Sequence, residues 1–424
     1  MQKFERYHDA FSYILSLLNI PSDRDYMGGK VRDGVYLLRM RWFLNLLGNP
    51  DRGMKYVHIT GTSGKSSVTT LVYEMIRASG KKVGTFRSPF MISAIEDIEV
   101  NGLYIAPDEF ADLVDYLKPF LDRAHVESPY GMPSYFEIFF MLSILYFKQK
   151  KCDWVVLEVG LGGRYDATNV IEKPAVTAIT NIDYDHTEIL GKTLSKITLD
   201  KAGIIKAGAT FFTTEPRPQL LKIFRNVCAE ENVPMRVLEP TLDYHEANTM
   251  LATAIARYIG TDGKSIERGI KNTKLPCRLE VMQKKPLVIL DGAHNRAKMR
   301  TTAENISKLK YKKMYLILGT KATKDSESIV ESIIPLADHV YVTRFQLKGM
   351  QCTSPKELAL LAKKYLKKGA KLEVLLDSKQ ALEKALASAN PDDCVLATGS
   401  FYLVGELRKR WYSEEKVLTR RKSF

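Results

Sequence analysis

A seven-residue string between a strand and a helix constrains this chain more than any other feature. Gly61-Thr62-Ser63-Gly64-Lys65-Ser66-Ser67 follows a β-rich run, Lys55 to Thr60. It precedes a helical pattern in which Val68, Leu71, Val72, Met75 and Ile76 recur at i, i+3, i+4, i+7 and i+8, with Gly80 as the expected stop. A glycine-bearing turn in that setting aims successive backbone N–H groups, and the positive end of a helix, at one point. Such a turn holds a phosphate with little reorganisation. Lys65 supplies a mobile charge for β- and γ-phosphates, and the Ser66 hydroxyl is spaced for Mg2+. The full pattern G-x-x-x-x-G-K-[ST] asks for glycine where this chain has Ile59. The match is therefore partial, and the flanking strand and helix carry the nucleotide assignment.

Strand and helix signals alternate along most of the chain. Lys82 to Phe86 reads as a strand and Ser134 to Lys148 as a helix. Asp153 to Val159 and Ala175 to Ile182 are apolar runs suited to strands buried on both faces. This alternation predicts parallel βαβ units. The pattern restarts near residue 286: a strand at Leu287 to Leu290, a helix from Arg296 to Leu309, then strands at Met314 to Leu318, His339 to Thr343, Leu372 to Leu376 and Cys394 to Ala397. Two α/β domains are expected, 1–280 and 285–424, joined within 271–285, where Pro276 and a group of lysines break the periodicity.

Composition excludes several classes. With 45% hydrophobic and 26% charged residues, the 424-residue chain is neither disordered nor fibrous. The net charge of +14 points to anionic partners: nucleotide, polycarboxylate, nucleic acid or acidic lipid. The Lys- and Arg-rich stretch Lys409 to Phe424 reads as a solvated tail. The first twenty residues contain no apolar signal region, and the most apolar stretch, Ile138 to Phe147, falls short of the ~20 residues of a membrane span. It reads as a buried helix. Cys152, Cys228, Cys277, Cys352 and Cys394 are scattered and form no C-x-x-C, as expected of buried thiols in a reducing compartment, the cytoplasm.

Ligands of open α/β sheets bind beyond the carboxyl ends of the strands. Ser88, Glu158, Asp185 and His186 all fall there. Singly, each is more often a cap or turn residue. Together, beside a phosphate loop, they describe a site for a hard cation with oxygen ligands and one imidazole. Lys201 is placed at the head of a short helix. Asp291 and His294 lie in the turn that opens the second domain.

These strings occur in a fixed order: Gly61–Ser67, Ser88-Pro89, Ser134-Tyr135-Phe136-Glu137, the run Glu158 to Asn169 (EVGLGGRYDATN), Asp185-His186, Asp200 to Lys206, Pro276-Cys277-Arg278, Asp291 to Asn295 and Thr398 to Gly405. In this the chain resembles the folylpolyglutamate synthase/dihydrofolate synthase family of the Mur ligase superfamily, over about residues 40 to 410. The resemblance implies a P-loop ATPase domain with a mostly parallel sheet and a smaller C-terminal Rossmann-like domain that closes over the nucleotide. It implies an ATP-dependent amide ligase that adds L-glutamate to a folate-type carboxylate, a tetrahydrofolate polyglutamate or dihydropteroate, through an acyl phosphate. By family position, Ser66, Ser88, Glu158, His186 and Lys201 would serve two Mg2+ sites, with Lys201 carbamylated. Lys65, Lys201, His186 and Glu158 would be catalytic. Asn248, Arg278, Asp291 and His294 would join the phosphate loop at ATP, and the pterin would meet Ser134, Tyr135, Phe136, Glu137, Tyr165, Asp166 and Ala167. No nucleic acid and no membrane partner is implied, and a monomer is expected. The chain departs from the family at Ser63 for Asn, Ser66 for Gly, Phe90-Met91 for His-Leu, Cys277 for Gly and Asp200 for Glu. The hydroxyl after Lys65 is closer to Mur peptide ligases and poly-γ-glutamate synthases, so a ligase with a non-folate acceptor is the alternative.

Overall fold

A computed structural model describes residues 3–20, 34–239, 241, 244–322, 325–346 and 351–424. The chain forms two compact units, Met1–Ser88 with Ala94–Lys274, and Pro89–Ser93 with Leu275–Phe424.

The first unit is built on eight strands: β1 (Lys55–Thr60), β2 (Val83–Phe86), β3 (Ile98–Val100), β4 (Leu103–Tyr104), β5 (Trp154–Glu158), β6 (Val176–Ile179), β7 (Thr210–Thr213) and β8 (Met235–Val237). Their order is β4-β3-β2-β5-β1-β6-β7-β8. β1 lies between β5 and β6, parallel to both, while β3 and β4 close one edge antiparallel. From β1 the chain moves to one flank, returns at β5, and crosses to the other flank at β6. That reversal leaves a crevice beyond the carboxyl ends of β1, β5 and β6. The helix Lys65–Ala78 turns Val68, Leu71, Val72, Met75 and Ile76 into one core cluster with Val57 and Ile59 of β1. The helix Tyr135–Gln149 is buried along Ile138–Ile144. Among the described residues no helix is long and apolar enough to cross a membrane.

The second unit carries β9 (Glu280–Lys284), β10 (Leu287–Leu290), β11 (Met314–Leu318), β12 (His339–Val342), β13 (Lys371–Val374) and β14 (Cys394–Thr398), in the order β13-β12-β11-β14-β10-β9. All pairings are parallel except β9 with β10.

The structure refines the sequence-based expectations at several points. The run predicted as a strand to Ile182 ends at Ile179, because the residues after it bond to the phosphate loop instead of a ladder. β9 went unforeseen, since a half-exposed antiparallel edge rich in Lys and Gln shows no apolar run. The division at Lys274/Leu275 falls inside the expected join 271–285; Cys277 is fully buried in the second unit's core, and Pro89–Ser93 groups with that unit as well. There a Cβ on Gly405 would come within 2.4 Å of the Met91 carbonyl oxygen. Finally, the basic tail is folded onto the unit while its charges stay in water: the helix Glu414–Arg420 buries Val417 and Leu418, and Ser423 is buried too, whereas Lys409, Arg410, Lys416, Arg420 and Lys422 are exposed. Among the described residues no disulfide joins the five cysteines.

Candidate active site

The phosphate loop depends on two glycines in the left-handed range, Gly61 (φ 150°) and Gly64 (φ 83°). A Cβ on Gly61 would sit 1.8 Å from Thr180 Oγ1, and one on Gly64 2.4 Å from Asn248 Oδ1. Asn248, on the helix Tyr244–Tyr258, is therefore pressed against the loop. The segment after β6 stitches the loop down. Thr62 N donates to Asn181 O (2.9 Å), Ser63 N to Asn181 Oδ1 (2.8 Å) and Asp183 N to Thr62 Oγ1 (2.9 Å). Of the loop's N–H groups, those of Thr62 and Ser63 hold Asn181. The helix start, from Gly64 onward, offers N–H groups to an anion. Ser67 is buried in the first turn.

Two lysines meet at the Gly61 carbonyl, which accepts from Lys65 Nζ at 3.0 Å and from Lys201 Nζ at 3.2 Å. Lys201 is 3% exposed. Burial, and then the charge of Lys65, bring its pKa down to about 7. Thr193 caps the helix Leu194–Ala202, so Lys201 belongs to its last turn and not, as expected, its head. Beside this pair the Ser66 hydroxyl donates to Glu158 Oε1 (2.7 Å), which the buried end of β5 presents at the same edge. Ser88 lies two residues past β2, whose Phe86 pairs with Leu157, and so shares that edge. His186 adopts φ 50° ahead of the helix Thr187–Leu190, with Nε2 3.8 Å from Asp185 Oδ1 and Nδ1 3.7 Å from Glu188 Oε1. Contacts thus bring Lys65 and Lys201 to the Gly61 carbonyl and Ser66 to Glu158, at the edge that Ser88 shares. Among the described residues no three His, Cys, Asp or Glu side chains converge as a metal nest. The hydroxyl, carboxylate and imidazole set still suits a hard cation.

Several expected acceptor residues have structural work. Ser134 and Glu137 form a capping box: Ser134 N donates to Glu137 Oε2 (2.6 Å) and Glu137 N to Ser134 Oγ (3.4 Å). Arg39 also forks onto Glu137, with Nη2 2.9 Å from Oε1 and 2.8 Å from Oε2, both side chains buried. Asp166 accepts from Leu161 N (2.9 Å) and Thr168 N (3.0 Å), and burial raises its pKa to about 6. Tyr135 packs against Phe139 with ring centroids 4.6 Å apart and planes tilted by 33°, and Ala167 is buried. Phe136 lies against Gly160, where a Cβ would approach its ring within 2.7 Å, and Tyr165 is half-buried. The Phe136 ring also packs 5.5 Å from that of Phe86. Two buried groups escaped the sequence reading. Arg39 occupies the core face shared by Tyr36, Met40 and Phe43, a placement that its spacing encodes. His58, wholly buried with its pKa lowered to about 3, pairs with Thr168 at 2.8 Å and marks no motif.

In the second unit Asp291 organises its turn. It accepts from Leu279 N (2.9 Å), Ala293 N (3.0 Å) and the Thr302 hydroxyl (2.7 Å). His294 Nδ1 lies 2.8 Å from Gly292 O and Nε2 3.2 Å from Lys298 Nζ. The Arg278 guanidinium lies 4.1 Å over the Phe401 ring.

Residues 59–213 match the Mur ligase middle domain, and 277–401 the Mur ligase glutamate ligase domain. The dihydrofolate synthase/folylpolyglutamate synthase of Bacillus subtilis is 28% identical over 91% of this chain and 98% of its own. A probable bifunctional folylpolyglutamate synthase/dihydropteroate synthase of Haloferax volcanii is 30% identical over 96% of this chain, which spans half of that protein's length. A solved bifunctional folylpolyglutamate synthase/dihydrofolate synthase with Mn, AMPPNP and L-glutamate bound superposes with a TM-score of 0.79 at 25% identity, covering 95% of this chain and 97% of that one. With both modules in sequence and these relatives alongside, the chain belongs to the folylpolyglutamate synthase/dihydrofolate synthase family of the Mur ligase superfamily.

Proposed function

We propose that the protein uses ATP to join L-glutamate to a folate-type carboxylate, a tetrahydrofolate polyglutamate or dihydropteroate, through an acyl phosphate. The observation that carries this is the gathering of Lys65, Lys201 and the Ser66–Glu158 pair around one turn at the carboxyl ends of β1 and β5. A carboxylate is a poor electrophile, because its charge is delocalised and its leaving group would be oxide. Transfer of the γ-phosphoryl group to it creates a good leaving group. The glutamate amine then attacks, and the tetrahedral intermediate expels phosphate. Lys65 offsets charge on the transferring group, the helix start orients the phosphates, and the half-buried aromatic faces of Phe136 and Tyr165 suit a pterin. Ser66, Ser88, Glu158 and His186 fit a Mg2+ ion, which would neutralise phosphate charge when bound.

Lys201 suits carbamylation, with its carbamate as a ligand to a second ion. Burial holds part of the amine neutral near pH 7. Its lone pair adds to the carbon of CO2, and one proton leaves. Lys201→Ala is expected to lose most turnover and to regain some with added short carboxylates; full activity would sink the carbamate. The function itself is tested by product mass spectrometry with dihydropteroate, tetrahydrofolate and tetrahydrofolate diglutamate as parallel acceptors. One added glutamate, with ADP and phosphate released, is expected. ATP use with none of the three extended would favour a non-folate acceptor. The five thiols without disulfides support a cytoplasmic setting.

A further inference from the structure

The residues around Arg278 are held in an unusual way. Cys277 (φ 54°) and Leu279 (φ 47°), on either side of it, are both left-handed without being glycine. Each such residue costs roughly 1–2 kcal/mol, and strain of this kind persists only where the surroundings over-determine it. Here a carboxylate holds the N–H of each. Cys277 N donates to Glu280 Oε2 (2.9 Å), and Leu279 N to Asp291 Oδ2 (2.9 Å). The Cys277 carbonyl also accepts from Gly292 N (2.8 Å).

Glu280 is itself fixed. Arg408 grips it with two parallel bonds, Nε to Oε2 and Nη2 to Oε1, both 2.8 Å. The Arg408 side chain is wholly buried, 4.3 Å from the Tyr412 ring centroid and 5.1 Å from that of Phe424, and it donates to Ser423 O (2.6 Å). A bidentate, buried pair of this sort is strong in geometry and costly to break on one side.

We propose that Glu280, clamped by Arg408, is a positioning residue for nucleotide binding. It locks the left-handed turn that sets the Arg278 guanidinium over Phe401, ready for a polyphosphate anion. This rests on the assignment of Arg278 to the nucleotide. The stretch 409–424, expected as a solvated basic tail, then supplies the outer wall of the clamp through Tyr412, Ser423 and Phe424.

The test is ADP binding by calorimetry on the full chain, which needs no acceptor and so does not depend on the ligase chemistry. Arg278→Ala is expected to weaken ADP roughly tenfold, the size of one lost bond to a charged group. Glu280→Gln should weaken it comparably, and the double variant should be no worse than Arg278→Ala. Arg408→Lys, which keeps the charge but not the fork, should fall between wild type and Glu280→Gln, and reports on the clamp if Glu280→Gln does not fold. A general loss of packing would instead lower the urea midpoint and weaken ADP equally with or without Arg278. Wild-type affinity in Glu280→Gln or Arg408→Lys, or additive losses in the double variant, overturns the positioning role. Wild-type affinity in Arg278→Ala overturns it by removing its premise. ADP binding that follows this pattern while no folate acceptor is extended would overturn the acceptor assignment and leave the clamp standing.

Discussion

The two units solve the same backbone problem in opposite ways. Each needs left-handed residues in a turn at the carboxyl end of its sheet. At the phosphate loop the answer is glycine: Gly61 and Gly64 accept φ values of 150° and 83° without a side chain to object. Around Arg278 ordinary side chains are forced into the same region, and two carboxylates, of Glu280 and the buried Asp291, hold them there. The glycine loop is limited by space, since Thr180 and Asn248 fill the volume a Cβ would need. The carboxylate-held turn is limited by electrostatics. One should break with added volume, the other with removed charge or added stiffness.

The largest effect is expected at Gly61. Gly61→Ala forces its Cβ into Thr180, and overpacking plus a left-handed alanine should cost about 3 kcal/mol. Urea unfolding with unchanged slope would report it, with loss of ADP binding alongside; a fall under about 1 kcal/mol would mean the loop relaxes freely. Cys277 gives a smaller, paired contrast. Cys277→Val puts a β-branched side chain at positive φ and should cost about 2 kcal/mol. Cys277→Gly relieves strain while losing a buried thiol, and should stay within about 1 kcal/mol of wild type by the same measurement. Equal losses in both would show that packing, not backbone conformation, governs the site.

The most gradual effect belongs to His58, fully buried on β1. Its folded pKa of about 3 lies below the ordinary 6.5. Between those values the unfolded chain binds more protons, so the stability it contributes is present above pH 6.5 and drains away as pH falls toward 3. Relative to His58→Gln, the wild type should lose about 1.4 kcal/mol between pH 7.5 and pH 5.5. A gap that stays flat over that range would show His58 charged or exposed in the folded state.

Much of this was legible in the sequence. Lys55–Thr60, Leu287–Leu290 and Met314–Leu318 matched the expected strands to the residue, because apolar runs buried on both faces leave an unambiguous signal. The order of motifs located the phosphate loop, Glu158 and Lys201. What stayed hidden was which polar groups the fold consumes for itself. Glu137 and Asp166 are spent on Arg39, a helix cap and backbone N–H groups, and partners 98 residues apart leave no local trace. The charge pointed to anionic partners but not to where in the chain it sits. Residues 275–424 hold 29 Lys and Arg against 16 Asp and Glu, whereas the rest of the chain holds 34 against 33. Nearly all of the +14 therefore belongs to the unit without the phosphate loop, while the unit that carries Lys65 and the loop is close to neutral.

The grouping of Pro89–Ser93 with the second unit has a consequence for how the molecule could come apart. The chain passes from one unit to the other three times, at 88/89, 93/94 and 274/275, so the units are sutured, not strung like beads. A protease nick at 274/275 would leave the fragments threaded together by a five-residue stitch. A fragment beginning at Leu275 would fold with an open seam where Met91 meets Gly405.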